Sequence, residues 1–134
     1  MAAHIRGLPV SRDKLQADIH YMPCKIHSDG EAKVSSYFKP YIIKGEDGVL
    51  QASFRGYPLN GCMVAMPKGY RGIVLKESLK HETDGVERNI HVTYEFDSVT
   101  FWNWDRTPSR NDAFIAAFDW VDVSEALHTP LEDK

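Results

Sequence analysis

Histidine, cysteine and paired carboxylates are the side chains of this sequence that could bind a metal ion or act in catalysis. The six histidines show no H-x-H, H-x-E or H-E-x-x-H spacing: His4, His20, His27, His81, His91 and His128. A zinc or di-metal site needs several ligands brought to one point, usually from short fixed spacings. The sequence therefore predicts no metal site.

Signatures of nucleophilic and acid–base catalysis are also missing. Cys24 and Cys62 are far apart and lie within or beside apolar runs, which favours buried reduced thiols over a disulfide or a metal site. There is no G-x-S-x-G motif and no glycine loop opening a phosphate-binding helix. Glu95 and Asp97 share one face of a predicted strand, where a solvated surface is favoured over a general acid and base. These patterns predict a chain without an active site of its own.

Composition indicates one folded domain in a reducing, intracellular compartment. The 134 residues are 43% hydrophobic and 11% aromatic, which is typical of a packed protein. Sixteen basic against nineteen acidic residues give a net charge of -3, which disfavours a stand-alone nucleic-acid-binding protein. No apolar run approaches the roughly 20 residues of a membrane span, and the N-terminus has no apolar signal-peptide core.

The central segment Leu50–Lys76 predicts a three-stranded antiparallel meander. Within it, short apolar runs alternate with turn residues; the runs are Leu50–Arg55, Cys62–Met66 and Ile73–Leu75, and the turns are Gly56–Gly61 and Pro67–Gly69. Leu50, Ala52 and Phe54 alternate with polar residues, which is the period of a strand with one buried face.

The segments before the meander are predicted to be a loose arm and two strands interrupted by proline. Met1–Asp18 has little periodicity, Ile19–Ile26 contains Pro23, and Val34–Lys44 contains Pro40. Proline cannot donate to a sheet ladder, so these strands are expected at edges. The single domain is taken as residues 19–130, with an exposed connection at residues 77–89.

Alternation then predicts a strand from Ile90 to Asp97, with a bulge near Asp97-Ser98. Beyond it, Phe101, Trp102 and Trp104 are large apolar residues on both faces. These residues need cover on two sides, from this domain or from another chain.

The C-terminal part is predicted to contain a strand and a short helix. Ala113–Trp120 fits a strand, although its alanines also allow a helix. Asp122 and Glu125 have capping-box spacing, and a helix to about His128 would stop before Pro130. A frayed tail is expected at residues 131–134.

Two functional hypotheses from different classes remain. In the first, an OB-like barrel binds single-stranded nucleic acid, with aromatic rings stacking on bases and arginines holding phosphates. The stacking residues would be Phe101, Trp102, Trp104, Tyr57 and Tyr70. The phosphate-binding residues would be Arg55, Arg71, Arg106 and Arg110. In the second, a partner chain completes the two-sided strands. Net charge and proline-marked edges favour the second hypothesis.

The order of several motifs resembles the non-catalytic C subunit of eukaryotic type 2 ribonuclease H. The motifs are His20–Ile26, Asp29-Gly30, Tyr37-Phe38 with Pro40, Ser53–Gly56, Leu59–Gly61, Val64–Pro67 with Gly69 and Gly72, Phe96–Trp102 with Pro108, and Trp120 with Ser124–His128. The likeness covers most of residues 19–130. Its connection at residues 75–90 is short, and Asn60 stands where a basic residue is expected.

The resemblance implies a mainly β, antiparallel barrel interlaced with a B subunit as a triple-barrel heterodimer, with a short C-terminal helix. It also implies support of a catalytic A subunit that cleaves RNA in RNA/DNA hybrids and at ribonucleotides embedded in DNA. The resemblance implies no cofactor in this chain and Mg²⁺ only in the catalytic subunit. It implies that this chain contacts the RNA/DNA hybrid at most indirectly and does not contact a membrane. The implied location is the nucleus, where the complex would serve ribonucleotide excision and genome stability.

On this hypothesis the residues divide into two sets. The set facing a partner is Arg55, Tyr57, Pro58, Asn60, Trp102, Trp104 and Pro108. The set in the structural core is Phe54, Val64, Ile73, Phe96, Phe101 and Trp120.

Overall fold

A computed structural model describes residues 3–6, 16–77 and 88–131, and these are mainly β. The strands are β1 Ala3–Arg6, β2 Ile19–Tyr21, β3 Ile43–Lys44, β4 Leu50–Phe54, β5 Tyr57–Ala65, β6 Gly72–Glu77, β7 Arg88–Phe96 and β8 Ser98–Trp104. The helices are α1 Val34–Tyr37, a 3-10 turn Lys39–Tyr41, α2 Ala113–Ala117 and α3 Asp119–His128. The predicted mainly β class with a short C-terminal helix is confirmed.

The strands form two sheets that share one long bent hairpin. The larger sheet has the order β2-β8-β5-β4-β3 and the smaller has β1-β7-β6. Strands β5 and β8 pair in antiparallel fashion, as do β6 and β7. At the bend, Asp97 alone separates β7 from β8, while residues 66–71 separate β5 from β6. The predicted bulge near Asp97 is thus a change of sheet, and a register shift lies instead between Val74 and Leu75.

The N-terminal part of the chain runs alongside the β7–β8 arm of this hairpin. Strand β1 pairs in parallel with β7, and β2 pairs in parallel with β8. Between them Gln16 bridges to Glu95, and Ala17 N donates to Glu95 O at 2.9 Å. The described residues of the predicted loose arm are therefore paired, because β7 and β8 supply main-chain partners that local periodicity does not reveal.

The predicted meander is corrected in two places. Strand β6 pairs with β7 and not with β5, because residues 66–71 carry the chain into the other sheet. The turn predicted at Gly56–Gly61 is reduced to two residues, Arg55 and Gly56, whose φ angles are 51° and 80°. Two positive φ angles are those of a tight hairpin turn, so β5 begins at Tyr57.

Three further predictions of local structure are wrong or displaced. Val34–Lys44 is mostly α1 and the 3-10 turn, because Pro40 occupies an early turn position that needs no N–H donor. Ala113–Trp120 is helical, contrary to the preferred strand. Helix α3 begins at Asp119, so Asp122 lies in its first turn and is not its cap, although the helix ends at His128 as expected.

The densest part of the core surrounds β8, which is covered on both faces by this chain itself. On one face, Phe101 stacks on Tyr21 and on Phe114 of α2, with ring centres 5.6 and 5.4 Å apart. On the other face, Trp102 is 0% exposed beneath Phe38, whose ring centre is 5.6 Å away. A partner chain is therefore not needed to explain the two-sided pattern at Phe101 and Trp102.

We predict that Gly61→Ala destabilises the fold by about 1–3 kcal/mol. Gly61 pairs with Trp102 across β5 and β8, and an added Cβ would lie 2.5 Å from the indole ring. Urea unfolding measures the change. Gly30→Ala is the matched control, since an added Cβ there meets nothing within 4 Å; equal effects at both positions would contradict the packing argument.

The hydrogen bond from Trp102 Nε1 to His20 Nδ1, 3.1 Å long, predicts an acid-sensitive core. Burial lowers the pKa of His20 below its usual 6.5, with Asp18 opposing and Lys39 reinforcing this shift. Because the pKa of His20 is lower in the folded state than in the unfolded state, neutral His20 contributes its full stability above the unfolded-state pKa. This contribution is lost as the pH falls through the folded-state pKa.

Urea midpoints measured between about pH 8 and about pH 5 test this dependence. The loss of folding stability on acidification should be smaller in His20→Gln than in the wild type. It should be unchanged in His27→Gln, because His27 is exposed. An unchanged pH profile in His20→Gln would show that another group is responsible.

Candidate subunit interface

The described residues contain no cluster suited to metal catalysis. Across residues 3–6, 16–77 and 88–131, no three side chains of His, Cys, Asp or Glu converge to hold a metal ion. Both cysteines are free thiols. Burial raises the pKa of Cys62, and the Asp112 carboxylate raises it further, which keeps that thiol protonated and unreactive. Glu95 pairs with Arg71 at 3.3 Å.

No helix among the described residues has both the length and the apolar character required to cross a membrane.

One buried polar cluster, centred on Asp112, joins β8 to the loop before α2. Its carboxylate accepts hydrogen bonds from Asn103 Nδ2 at 3.1 Å, from Arg106 at 2.6 Å and from Ser109 N at 2.8 Å. The Ser109 N–H lowers the pKa of Asp112 most, and Asn103 and Arg106 lower it further, against the opposing effect of burial. The cluster fixes the loop that carries Pro108 and is therefore structural.

One side of the three-stranded sheet is an apolar face on which several large residues stay exposed in the described chain. Paired residues on neighbouring strands point to the same side of a sheet. Ile5 pairs with Ile90, Leu75 with Val92, and Val74 with Tyr94, so one side is apolar across all three strands. Ile5, Leu75 and Tyr94 are 64, 44 and 47% exposed, whereas Val92 at the centre of the face is 9% exposed. We call this surface the sheet face.

Helix α3 presents a second unpartnered apolar surface. Trp120, Val123 and Leu127 recur at helical spacing and are all exposed, Trp120 to 71%. Among the described elements, α3 packs chiefly against α2. The i, i+3, i+7 spacing of these residues was visible in the sequence, but the strand prediction for residues 113–120 concealed it.

Six of the seven residues proposed to face a partner lie at least partly on the surface: Arg55, Tyr57, Pro58, Asn60, Trp104 and Pro108. Arg55, Tyr57 and Trp104 come together beside the β4–β5 turn. Trp102 is a correction, because its indole is fully enclosed by Phe38, His20 and Gly61 and cannot contact a partner.

The residues proposed as core divide into three groups. Phe101 is buried, and Phe54, Val64 and Phe96 are partly buried. Ile73 and Trp120 are 43 and 71% exposed, so they are not core within this chain. Ile73 lies opposite Glu95 on the polar side of the small sheet, and Trp120 belongs to the exposed apolar surface of α3. Sequence reasoning missed the exposure of Ile5, Leu75 and Tyr94, which alternation alone assigns to a buried face.

A β-rich chain with a well-packed central strand and two partly exposed apolar surfaces has the architecture of a protein that binds other proteins. The sequence pattern of the family described as "Ribonuclease H2 non-catalytic subunit (Ylr154p-like)" matches residues 18–127. The chain therefore belongs to this family, which confirms the resemblance seen in its motifs. The family name makes it a component of a multi-subunit ribonuclease H2 and not a catalytic chain.

Two relatives support the same assignment. The chain is 28% identical to the C subunit of ribonuclease H2 from Bos taurus over 144 residues, which cover 91% of this chain and 87% of that protein. It is also 28% identical to the C subunit of ribonuclease H2 from Mus musculus over 145 residues, with the same coverage.

Proposed function

We propose that this chain is the structural subunit of a heterotrimeric type 2 ribonuclease H. It pairs with a B subunit and supports a catalytic A subunit that cleaves RNA in RNA/DNA hybrids and at ribonucleotides embedded in DNA. The family match over residues 18–127 carries this proposal. Mg²⁺ is used by the catalytic subunit, and the complex acts in the nucleus.

The sheet face is the surface we assign to the B subunit. It is apolar across β1, β6 and β7, and β6 forms a free edge of its sheet in the described chain. A partner can therefore cover the face and also extend the sheet by pairing with β6. Burial of such a face is the main source of stability in obligate interfaces.

The alternative, an OB-like domain that binds single-stranded nucleic acid, loses two of its proposed stacking residues. Phe101 and Trp102 are 6 and 0% exposed and cannot stack on bases. The negative net charge also opposes binding to phosphates.

We predict that Leu75→Lys combined with Tyr94→Lys prevents assembly. Two charges on the sheet face would have to be buried without partners, which costs several kcal/mol. Co-expression with the B and A subunits of the same organism, followed by size-exclusion chromatography with light scattering, measures assembly. The wild-type chain should elute in a 1:1:1 complex that cleaves a duplex containing a single ribonucleotide.

Tyr41→Lys is the matched control, because Tyr41 is 68% exposed and belongs to the 3-10 turn before β3, not to the three-stranded sheet. The control should assemble normally. If the wild-type chain is a monodisperse, cooperatively melting monomer that does not co-purify with the other subunits, the proposed function is wrong. If the double variant assembles like the control, the assignment of the sheet face is wrong.

A further inference from the structure

A groove of about 440 Å³ lies beside the β4–β5 turn, away from the sheet face. One wall is the segment 24–28, and the other is formed by the turn and the end of β8. Its lining residues are Cys24, Lys25, Ile26, His27, Ser28, Phe54, Arg55, Tyr57 and Trp104. The two walls come from distant parts of the sequence, so the groove exists only in the folded chain.

The groove has a fixed apolar floor. Trp104 Nε1 donates to Pro23 O at 2.8 Å, which holds the indole in place. Tyr57 packs edge-on against Trp104, with ring centres 5.5 Å apart. Tyr57 and Ile26 remain 65 and 57% exposed. An apolar side chain from another molecule would therefore meet a preformed surface and lose little binding energy to reorganisation.

The rim of the groove carries basic side chains without acidic partners. Lys25, His27 and Arg55 line the groove together, and no Asp or Glu lines it. None of the three forms an ion pair with a residue of the described chain. The Arg55 guanidinium instead lies 5.7 Å from the centre of the Phe54 ring. In a chain of net charge -3, such a local excess of positive charge is complementary to an acidic ligand.

One wall also offers an unpaired main chain. Residues 24–28 belong to neither a helix nor a strand. Their main-chain N–H and C=O groups make no hydrogen bond to another main-chain group among the described residues. Exposed main-chain groups beside an apolar floor are features that an extended peptide can use for recognition.

We propose that this groove binds an extended segment of a partner protein in which an aliphatic or aromatic side chain is flanked by Asp or Glu. The apolar side chain packs on Tyr57, Ile26 and Trp104, and the carboxylates pair with Arg55 and Lys25. The unpaired main chain at residues 24–28 favours a peptide over single-stranded nucleic acid. The proposal goes beyond the family-level function and does not depend on the sheet face.

Panning a phage library of random peptides about twelve residues long on the purified full chain tests this inference. We expect enrichment of peptides that place Asp or Glu next to an apolar residue. Fluorescence anisotropy with a labelled enriched peptide then measures affinity. Arg55→Glu and Tyr57→Ser should each weaken binding at least about tenfold, and both variants should still melt cooperatively because both side chains are largely exposed.

Arg110→Glu is the matched control, since Arg110 is exposed and does not line the groove; it should bind like the wild type. Failure to enrich acidic peptides, or binding that Arg55→Glu does not weaken, would overturn the inference. So would an unstructured single-stranded oligonucleotide that binds more tightly than the peptide with the same dependence on Arg55 and Tyr57. None of these outcomes affects co-purification with the other subunits, so they leave the proposed function standing.

Discussion

The enclosure of β8 on both faces is the constraint on which the described structure depends. Trp102 is fully buried against Gly61, His20 and Phe38, and its indole N–H is satisfied by His20. On the opposite face Phe101 packs on Tyr21 and Phe114. The helical segment before β3 and the C-terminal helices are held to the sheet by these two rings, because each covers one side of the same strand. A buried aromatic ring contributes a large share of core stability.

The small sheet presents the opposite situation. Strand β7 continues through Asp97 into β8. Ile5 of β1 and Leu75 of β6 lie on the apolar side of β7 and stay exposed. One end of the long hairpin thus has a packed core within this chain, and the other end keeps several residues of its apolar face exposed. A protein that assembles with others needs both properties, since the packed end can hold the shape of the open end before a partner covers it. Membership of the non-catalytic ribonuclease H2 family is consistent with this division.

Sequence pattern predicted the parts of the structure where one local signal dominates. Alternation located β4 and β7, and Pro130 set the end of α3 at His128. Sequence pattern failed where a strand and a helix are both compatible with the same spacing of apolar residues. The apolar residues of the segment 113–120 alternate as in a strand, yet the segment is helical. For the candidate site, the exposure of Arg55 and Tyr57 follows from their place at the turn between β4 and β5, and that of Trp104 from its place at the end of β8. The contribution of residues 24–28 to the same groove does not, because no local signal connects them.

Composition, motif order and period were enough to establish a mainly β chain, its family and its lack of a recognisable catalytic motif, because these properties reside in residue types and short spacings. Which aromatic ring is buried and which is exposed was decided only by tertiary structure. Trp102 and Trp104 are two residues apart on the same side of β8, but Gly61 and Phe38 close over the first while the second lies at the end of the strand. The parallel pairing of β1 with β7 and β2 with β8 joins segments about 80 residues apart in sequence, and main-chain pairing over such separations leaves no mark in local pattern.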